Sequence, residues 1–140
     1  MKKQGVMIYL LKGDKILFLQ RKKENENLHK EGVHIPMGGK VEKSESIEES
    51  IKREVMEESN VMLNSSELRG VIYFRDFGND KDDWIVYIFT SEDFSGSPKD
   101  GNEGSFIWAT KKDFPKLNLY EGDKIFLDFL FTKKYKLFVV

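Results

Sequence analysis

Two apolar runs open the chain, GVMIYLL at 5–11 and KILFLQR at 15–21. The Lys12-Gly13-Asp14 turn between them predicts a β-hairpin. Residues 22–34 are polar without a period and predict a mobile loop. IPMGGK at 35–40 predicts a second loop, because two glycines and a proline oppose regular structure. Over 46–59, Ile47, Ile51 and Val55 recur at helical spacing. LRGVIYFRDF at 68–77 and WIVYIFT at 84–90 predict two strands around a polar turn, Gly78 to Asp83. A Gly/Ser/Pro/Asp stretch at 95–104 precedes the short strand SFIWAT. Within 121–135, Ile125, Phe126, Phe129 and Leu130 again follow a helical period. With no internal repeat or linker, the pattern predicts one α/β domain with a mixed sheet over 1–140.

The helix at 46–59 carries a charge pattern that its fold does not need. Glu54 and Glu58 lie at i and i+4, with Glu57 beside them, and Glu58 projects into the apolar stripe itself. Each like-charge pair at this spacing costs about 0.2–0.5 kcal/mol. Anions in a last turn oppose the helix dipole by about 0.3–1 kcal/mol each. Glu49 with Arg53 and Glu48 with Lys52 are placed to pair, which leaves the three terminal glutamates without an offset. From the residues alone two readings stand: a site for a hard divalent cation such as Mg²⁺, or a solubilising charged face.

Composition narrows the setting. With 23 basic and 24 acidic side chains the net charge is -1, so no broad basic face suited to stable nucleic-acid binding is expected. The absence of cysteine excludes disulfide and thiolate chemistry. Gly13 and Asp14 interrupt the first apolar run, so it is expected to be a strand and not a signal peptide. No run approaches the roughly 20 residues of a membrane span. The expected location is cytoplasmic.

Register along the acidic helix is more specific than its charge. From Gly39 there are five residues to Glu45, seven more to Arg53-Glu54, then Val55, one residue, Glu57-Glu58, one residue, Asn60 and Val61. This spacing resembles the Nudix box, GX5EX7REUXEEXGU with U aliphatic, and every charged position matches. The flanking strand order is also similar to a Nudix domain, so the resemblance implies an α/β/α sandwich with a central mixed β-sheet. One box position departs: Asn60 stands at the family's glycine, where a left-handed helix end suits Asn next best.

The resemblance implies an enzyme that hydrolyses a nucleoside diphosphate linked to another moiety, using Mg²⁺ or possibly Mn²⁺. It implies Glu54, Glu57 and Glu58 as metal ligands, with the carbonyl of Gly38, and Arg53 as the group orienting a carboxylate through a forked hydrogen bond. Glu45 either pairs with Arg53 or assists the base. Gly39 and Lys40 fall where substrate phosphate is contacted, although a plain surface lysine explains Lys40 equally. Glu103, in DGNEGSFIW, resembles the loop that supplies an extra ligand or base in the MutT-like branch.

The C-terminal half resembles 8-oxo-dGTP diphosphatases. Tyr120 and Asp123 match the aromatic-x-x-Asp segment that holds the base in that branch, although EGD before an apolar run reads equally as a helix start. Two departures weigh against it: Ile35 replaces an asparagine that contacts the base, and His34 replaces a tryptophan. The expected substrate is therefore a small nucleotide, 8-oxo-dGTP or a related oxidised purine first, giving monophosphate and pyrophosphate. The alternatives are another nucleoside triphosphate, ADP-ribose or an RNA 5′ end, and more distantly an inactive nucleotide-binding module.

Overall fold

The computed structural model describes residues 2–22, 32–131 and 138–139. In chain order the strands are β1 (Lys2–Lys12), β2 (Lys15–Arg21), β3 (His34–Ile35), β4 (Met37–Lys40), β5 (Met62–Leu63), β6 (Glu67–Phe77), β7 (Asp82–Ser91), β8 (Phe94–Ser95), β9 (Gly104–Ala109) and β10 (Phe138–Val139). Helix α1 (Ile47–Ser59) follows β4, and α2 (Glu121–Phe131) follows a 3₁₀ turn at Lys111–Lys116. The main sheet runs β10-β6-β7-β1-β2-β3, with β4 added beside β1 and β9 beside β2. β5 and β8 form a separate two-stranded ladder. The β1–β7 and β10–β6 pairs are parallel and the others antiparallel, so the sheet is mixed as expected.

β1 shows why the sheet carries a helix on each face. Its side chains alternate, as strand geometry requires. Val6, Ile8 and Leu10 enter a core with Ile51 and Val55 of α1. Tyr9 enters the opposite core with Phe126, Leu127 and Leu130 of α2. Ile51 and Val55 are fully buried, which stabilises the α1 layer by about 1.5–3 kcal/mol per side chain. The same pattern that makes the β1 run apolar throughout thus makes it a strand covered on both faces.

Helix α1 is bounded by local chemistry. The Ser46 hydroxyl accepts from Glu49 N, and the Glu49 carboxylate accepts from Ser46 N, a complete capping box. At the other end Asn60 sits in the left-handed region, φ 62 and ψ 25, and its N–H donates to the Met56 carbonyl. The expected role of Asn60 in the glycine position therefore holds.

Two expectations need correction. IPMGGK is not a loop: Met37–Lys40 pairs antiparallel with β1, Gly38 facing Met7 and Gly39 facing Val6. A Cβ on Gly38 would stand 2.1 Å from the Val6 carbonyl oxygen, so close backbone approach selects glycine here despite its poor strand propensity. The second strand of the long hairpin begins at Asp82, inside the expected turn, because Phe77 and Asp82 still pair across it. Most of the expected loop at 22–34 and the end of the expected helix at 121–135 lie outside the described residues. Among the described residues no helix is long and apolar enough to cross a membrane.

Candidate active site

Strand β4 and helix α1 bring the acidic cluster together. Gly38 N donates to the Glu58 carboxylate at 2.9 Å, fixing the helix end against the strand. A Cβ on Gly39 would meet the Glu54 carboxylate at 2.5 Å, so the second glycine leaves room for that side chain alone. The glycines thus form the wall against which two glutamates of α1 close.

Arg53 organises the remaining acids. Its Nε and Nη2 donate to the two oxygens of Glu45 at 2.6 and 3.0 Å, a two-pronged pair. Nη1 donates to Glu54 at 2.8 Å and to Glu57 at 3.2 Å, and Nη2 also donates to the Lys40 carbonyl at 3.0 Å. Arg53 does not pair with Glu49, which is spent on the capping box. The helix therefore offsets Glu54 and Glu57 with one cation, contrary to the charge reading of the sequence. Among the described residues Glu58 has no cation in hydrogen-bond or ion-pair contact.

Electrostatics follow from these positions. The Arg53 hydrogen bonds, helped by Glu42 N, hold the Glu45 carboxyl down at about 2. Burial pushes the Glu54 carboxyl up despite Arg53. Burial pushes Glu58 further, to about 8, only partly opposed by the Gly38 N–H. Glu57 is the open member, its side chain 58% exposed against 13% for Glu54.

Glu103 joins from the β8–β9 connection. Leu19, Glu57, Glu58 and the turn at Gly101 to Gly104 enclose a cavity of about 90 Å³. The Glu103 carboxylate forms an ion pair with Arg21, 3.5 Å from Nη1, and the Glu103 carbonyl accepts from Lys22 N at 2.9 Å. Arg21 escaped the sequence reading. It ends β2 with its side chain only 10% exposed, its Nε has no hydrogen-bond partner among the described residues, and its charge favours the ionised form of Glu58. A basic residue closing an apolar strand is the one local signal that marked it.

The donor set tests the fit of a metal. Every candidate ligand is oxygen, as hard divalent ions require. Glu58 is a half-buried carboxylate whose ionised form is short of positive charge, which is the deficiency a cation corrects. Among the described residues no three acidic or imidazole groups already stand at ion-binding spacing, since Arg53 and Gly38 N hold the carboxylates instead. The set fits a divalent ion in chemistry, and Arg53 supplies the interim counter-charge.

The predicted base-holding residues lie at the start of α2. Tyr120 packs on a small cluster of Leu19, Val33 and Ile35, and Leu19 also lines the acidic cavity. Asp123 occupies the first turn of α2 and is not its N-cap. Burial pushes its carboxyl up to about 6. Burial raises the pKa of the Tyr9 phenol and the Asp123 charge adds to it; among the described residues the Tyr9 hydroxyl has no hydrogen-bond partner. The Lys40 side chain is exposed, and only its carbonyl is engaged with Arg53.

The chain is similar to known proteins over most of its length. A family model described as NUDIX domain covers residues 1–130. A Nudix hydrolase of Bacillus subtilis (strain 168), YvcI, is 29% identical over 120 residues, 84% of this chain and 72% of that protein. An oxidized purine nucleoside triphosphate hydrolase of Mus musculus is 31% identical over 97 residues, 69% of this chain and 62% of the mouse protein. The match thus spans less than two thirds of the mouse protein's length. A MutT protein from Bacillus halodurans aligns with a TM-score of 0.77 at 26% identity, covering 97% of this chain and 85% of that one. A MutT NUDIX hydrolase from Burkholderia pseudomallei shares the fold, with a TM-score of 0.76 at 24% identity over 91% of this chain and 97% of its own.

Proposed function

The chain belongs to the NUDIX domain family and is a Nudix hydrolase, and from that premise we propose that it cleaves a nucleoside triphosphate to the monophosphate and pyrophosphate. Nudix hydrolases generally use divalent metal ions, and Mg²⁺ is the proposed cofactor here, with Mn²⁺ as a substitute. The observation that carries the reading is the meeting of Glu57, Glu58 and the Glu103 turn around one cavity beside an Arg53-organised carboxylate group.

Glu54, Glu57, Glu58 and the Gly38 carbonyl are the proposed metal ligands, with Glu103 joining from its turn. A divalent ion bound there would neutralise pyrophosphate oxygens and lower the pKa of the attacking water. The protein's part is to hold the acids in place. Arg53 orients Glu45 and Glu54, and Gly38 N orients Glu58. In the reaction water oxygen bonds to phosphorus, the bridging P–O bond breaks, and the water proton passes to a carboxylate of the cluster. Gly39 and Lys40 border the phosphates.

For the base, Tyr120 offers an aromatic face and Asp123 a hydrogen-bonding edge, which supports an oxidised purine, 8-oxo-dGTP first. The mouse relative's name points to the same class. Ile35, buried beside Tyr120, favours a second reading, a different nucleoside diphosphate derivative such as another triphosphate, ADP-ribose or an RNA 5′ end. Turnover of 8-oxo-dGTP, dGTP, the common triphosphates, ADP-ribose and 5′-triphosphate RNA with Mg²⁺ separates them. A kcat/KM for 8-oxo-dGTP at or below that for dGTP would reject the oxidised-purine assignment. No turnover of any of them would reject the triphosphatase reading.

A further inference from the structure

His34 forms a reciprocal clamp with the segment leading into α2. Its backbone N–H donates to the Asn118 carbonyl at 2.8 Å, and its ring Nδ1 accepts from the Asn118 N–H at 2.9 Å. Because Nδ1 accepts, the ring is neutral with its proton on Nε2. Burial, the larger effect, lowers the pKa of this imidazole and keeps it in that form. β3 ends the main sheet: one side pairs with β2, Gln20 facing His34 and Leu19 facing Ile35. On its other side Asn118 behaves as one more ladder residue, with the imidazole standing where a carbonyl acceptor would be.

The clamp joins the two halves of the site. Two residues after Asn118, Tyr120 packs against Val33 and Ile35, the neighbours of His34 in the chain. Between them Leu119 is buried in the α2-side core, so the segment passes from one core to the other over this short span. Three residues after Ile35, Gly38 N holds Glu58. The two-residue strand β3 therefore lies between the residue proposed to hold the base and the one anchoring the acidic cluster. Tyr120 thus follows by two residues a backbone amide whose hydrogen bond ends on a histidine ring.

We infer that His34 is a positioning residue for nucleoside recognition, setting the Tyr120 segment at the correct distance from the pyrophosphate site through the Nδ1–Asn118 hydrogen bond. This rests on the proposal that Tyr120 and Asp123 hold the base. Loss of the acceptor lets the 118–120 segment leave its seat, so substrate meets the competent arrangement in only a fraction of molecules. Apparent affinity falls by that fraction, while chemistry on correctly bound substrate is unchanged.

Steady-state kinetics with the full chain, Mg²⁺ and its best triphosphate test this on H34N, H34Q and H34L. The Asn amide oxygen reaches the place of Nδ1, whereas the Gln amide reaches that of Nε2. H34Q and H34L are expected to raise KM by about fivefold, the size of one neutral hydrogen bond, with kcat within twofold of wild type. H34N is expected to restore KM to within twofold. Should H34L not fold, H34N against H34Q carries the comparison. An equal KM for H34N and H34Q, or a fall in kcat at constant KM, overturns the inference. Y120A measured alongside separates the two ideas. If Y120A leaves KM unchanged, the base-site proposal fails; if Y120A raises KM and H34Q does not, the clamp alone fails.

Discussion

Replacing Glu58 by Gln changes one atom and removes a charge that the fold holds at a disadvantage. The Gly38 N–H still finds an oxygen acceptor, and the side chain keeps its shape. In the folded protein the Glu58 carboxyl titrates near 8, against an ordinary value of 4.5. Between those values the native state retains a proton that the unfolded chain has released. Wild-type stability therefore falls as pH rises through the window, and the Gln variant is spared that loss. The full shift corresponds to about 3 kcal/mol at pH 7 and about 1 kcal/mol at pH 5, as upper bounds. Allowing for water reaching a group that is not sealed off, a gain of about 1–3 kcal/mol is expected at pH 7–8, or about 3–10 °C in Tm. Thermal melts with chelator at pH 5, 6, 7 and 8 measure it. Mg²⁺ or Mn²⁺ should reverse the order by raising the wild-type Tm more than the variant's, in proportion to metal concentration. A Gln variant that melts lower at pH 8 without metal, or a gap that does not widen from pH 5 to 8, would refute the reasoning.

Three further outcomes are expected. Glu57→Gln, an exposed change, should leave Tm within about 1 °C for a surface substitution. Its kcat should fall by more than the about 10–100-fold typical of an outer-shell metal partner, and near-normal turnover removes Glu57 from the ligand set. Gly39→Ala should fold, because the Cβ meets the movable end of Glu54, yet lose activity as that carboxylate is displaced; retained kcat would show that Glu54 need not stand there. Asp123→Ala should narrow the ratio of kcat/KM for 8-oxo-dGTP over dGTP more than it slows generic hydrolysis. Because the Asp123 carboxyl titrates near 6, wild-type discrimination should change across pH 5–7 and the variant's should not. A variant ratio equal to wild type places Asp123 outside recognition.

What the sequence revealed, and what it hid, follows the range of the interactions. The ends of α1 are local chemistry, so Ser46, the apolar stripe and Asn60 could be read directly. The pattern of runs predicted only an α/β domain with a mixed sheet; the sandwich was implied by the Nudix resemblance, and β1, covered on both faces, agrees with it. Met37–Lys40 does not read as a strand because its pairing is decided by Gly5 to Ile8 of β1, 29 to 35 positions earlier in the chain, and not by the residues themselves. The expected pairing of Arg53 with Glu49 failed for a different reason: Ser46 N competes for the same carboxylate, while Glu45, outside the helix, offers Arg53 a two-pronged partner. Arg21 and Glu103 meet only through the pairing of β2 with β9, which no window of sequence contains.

The parallel pairing of β1 with β7 also determines when this site comes into being. Gly5 aligns with Val86, so the strand synthesised first must wait for one made much later. Its partner β2 waits too, since β9 covers it from Ile16 to Arg21. Contacts so distant along the chain slow folding, because loop closure is unfavourable until the pairing that rewards it. During that interval the VMIYLL run of a nascent chain is an uncovered, β-prone segment of the kind that self-associates. Lys2 and Lys3 precede it as charged guards, and in the finished sheet Lys3 is taken up by Asp82 and Asp80 from the β7 side. The arrival of β7 therefore pairs the waiting strand and neutralises its guard in one step.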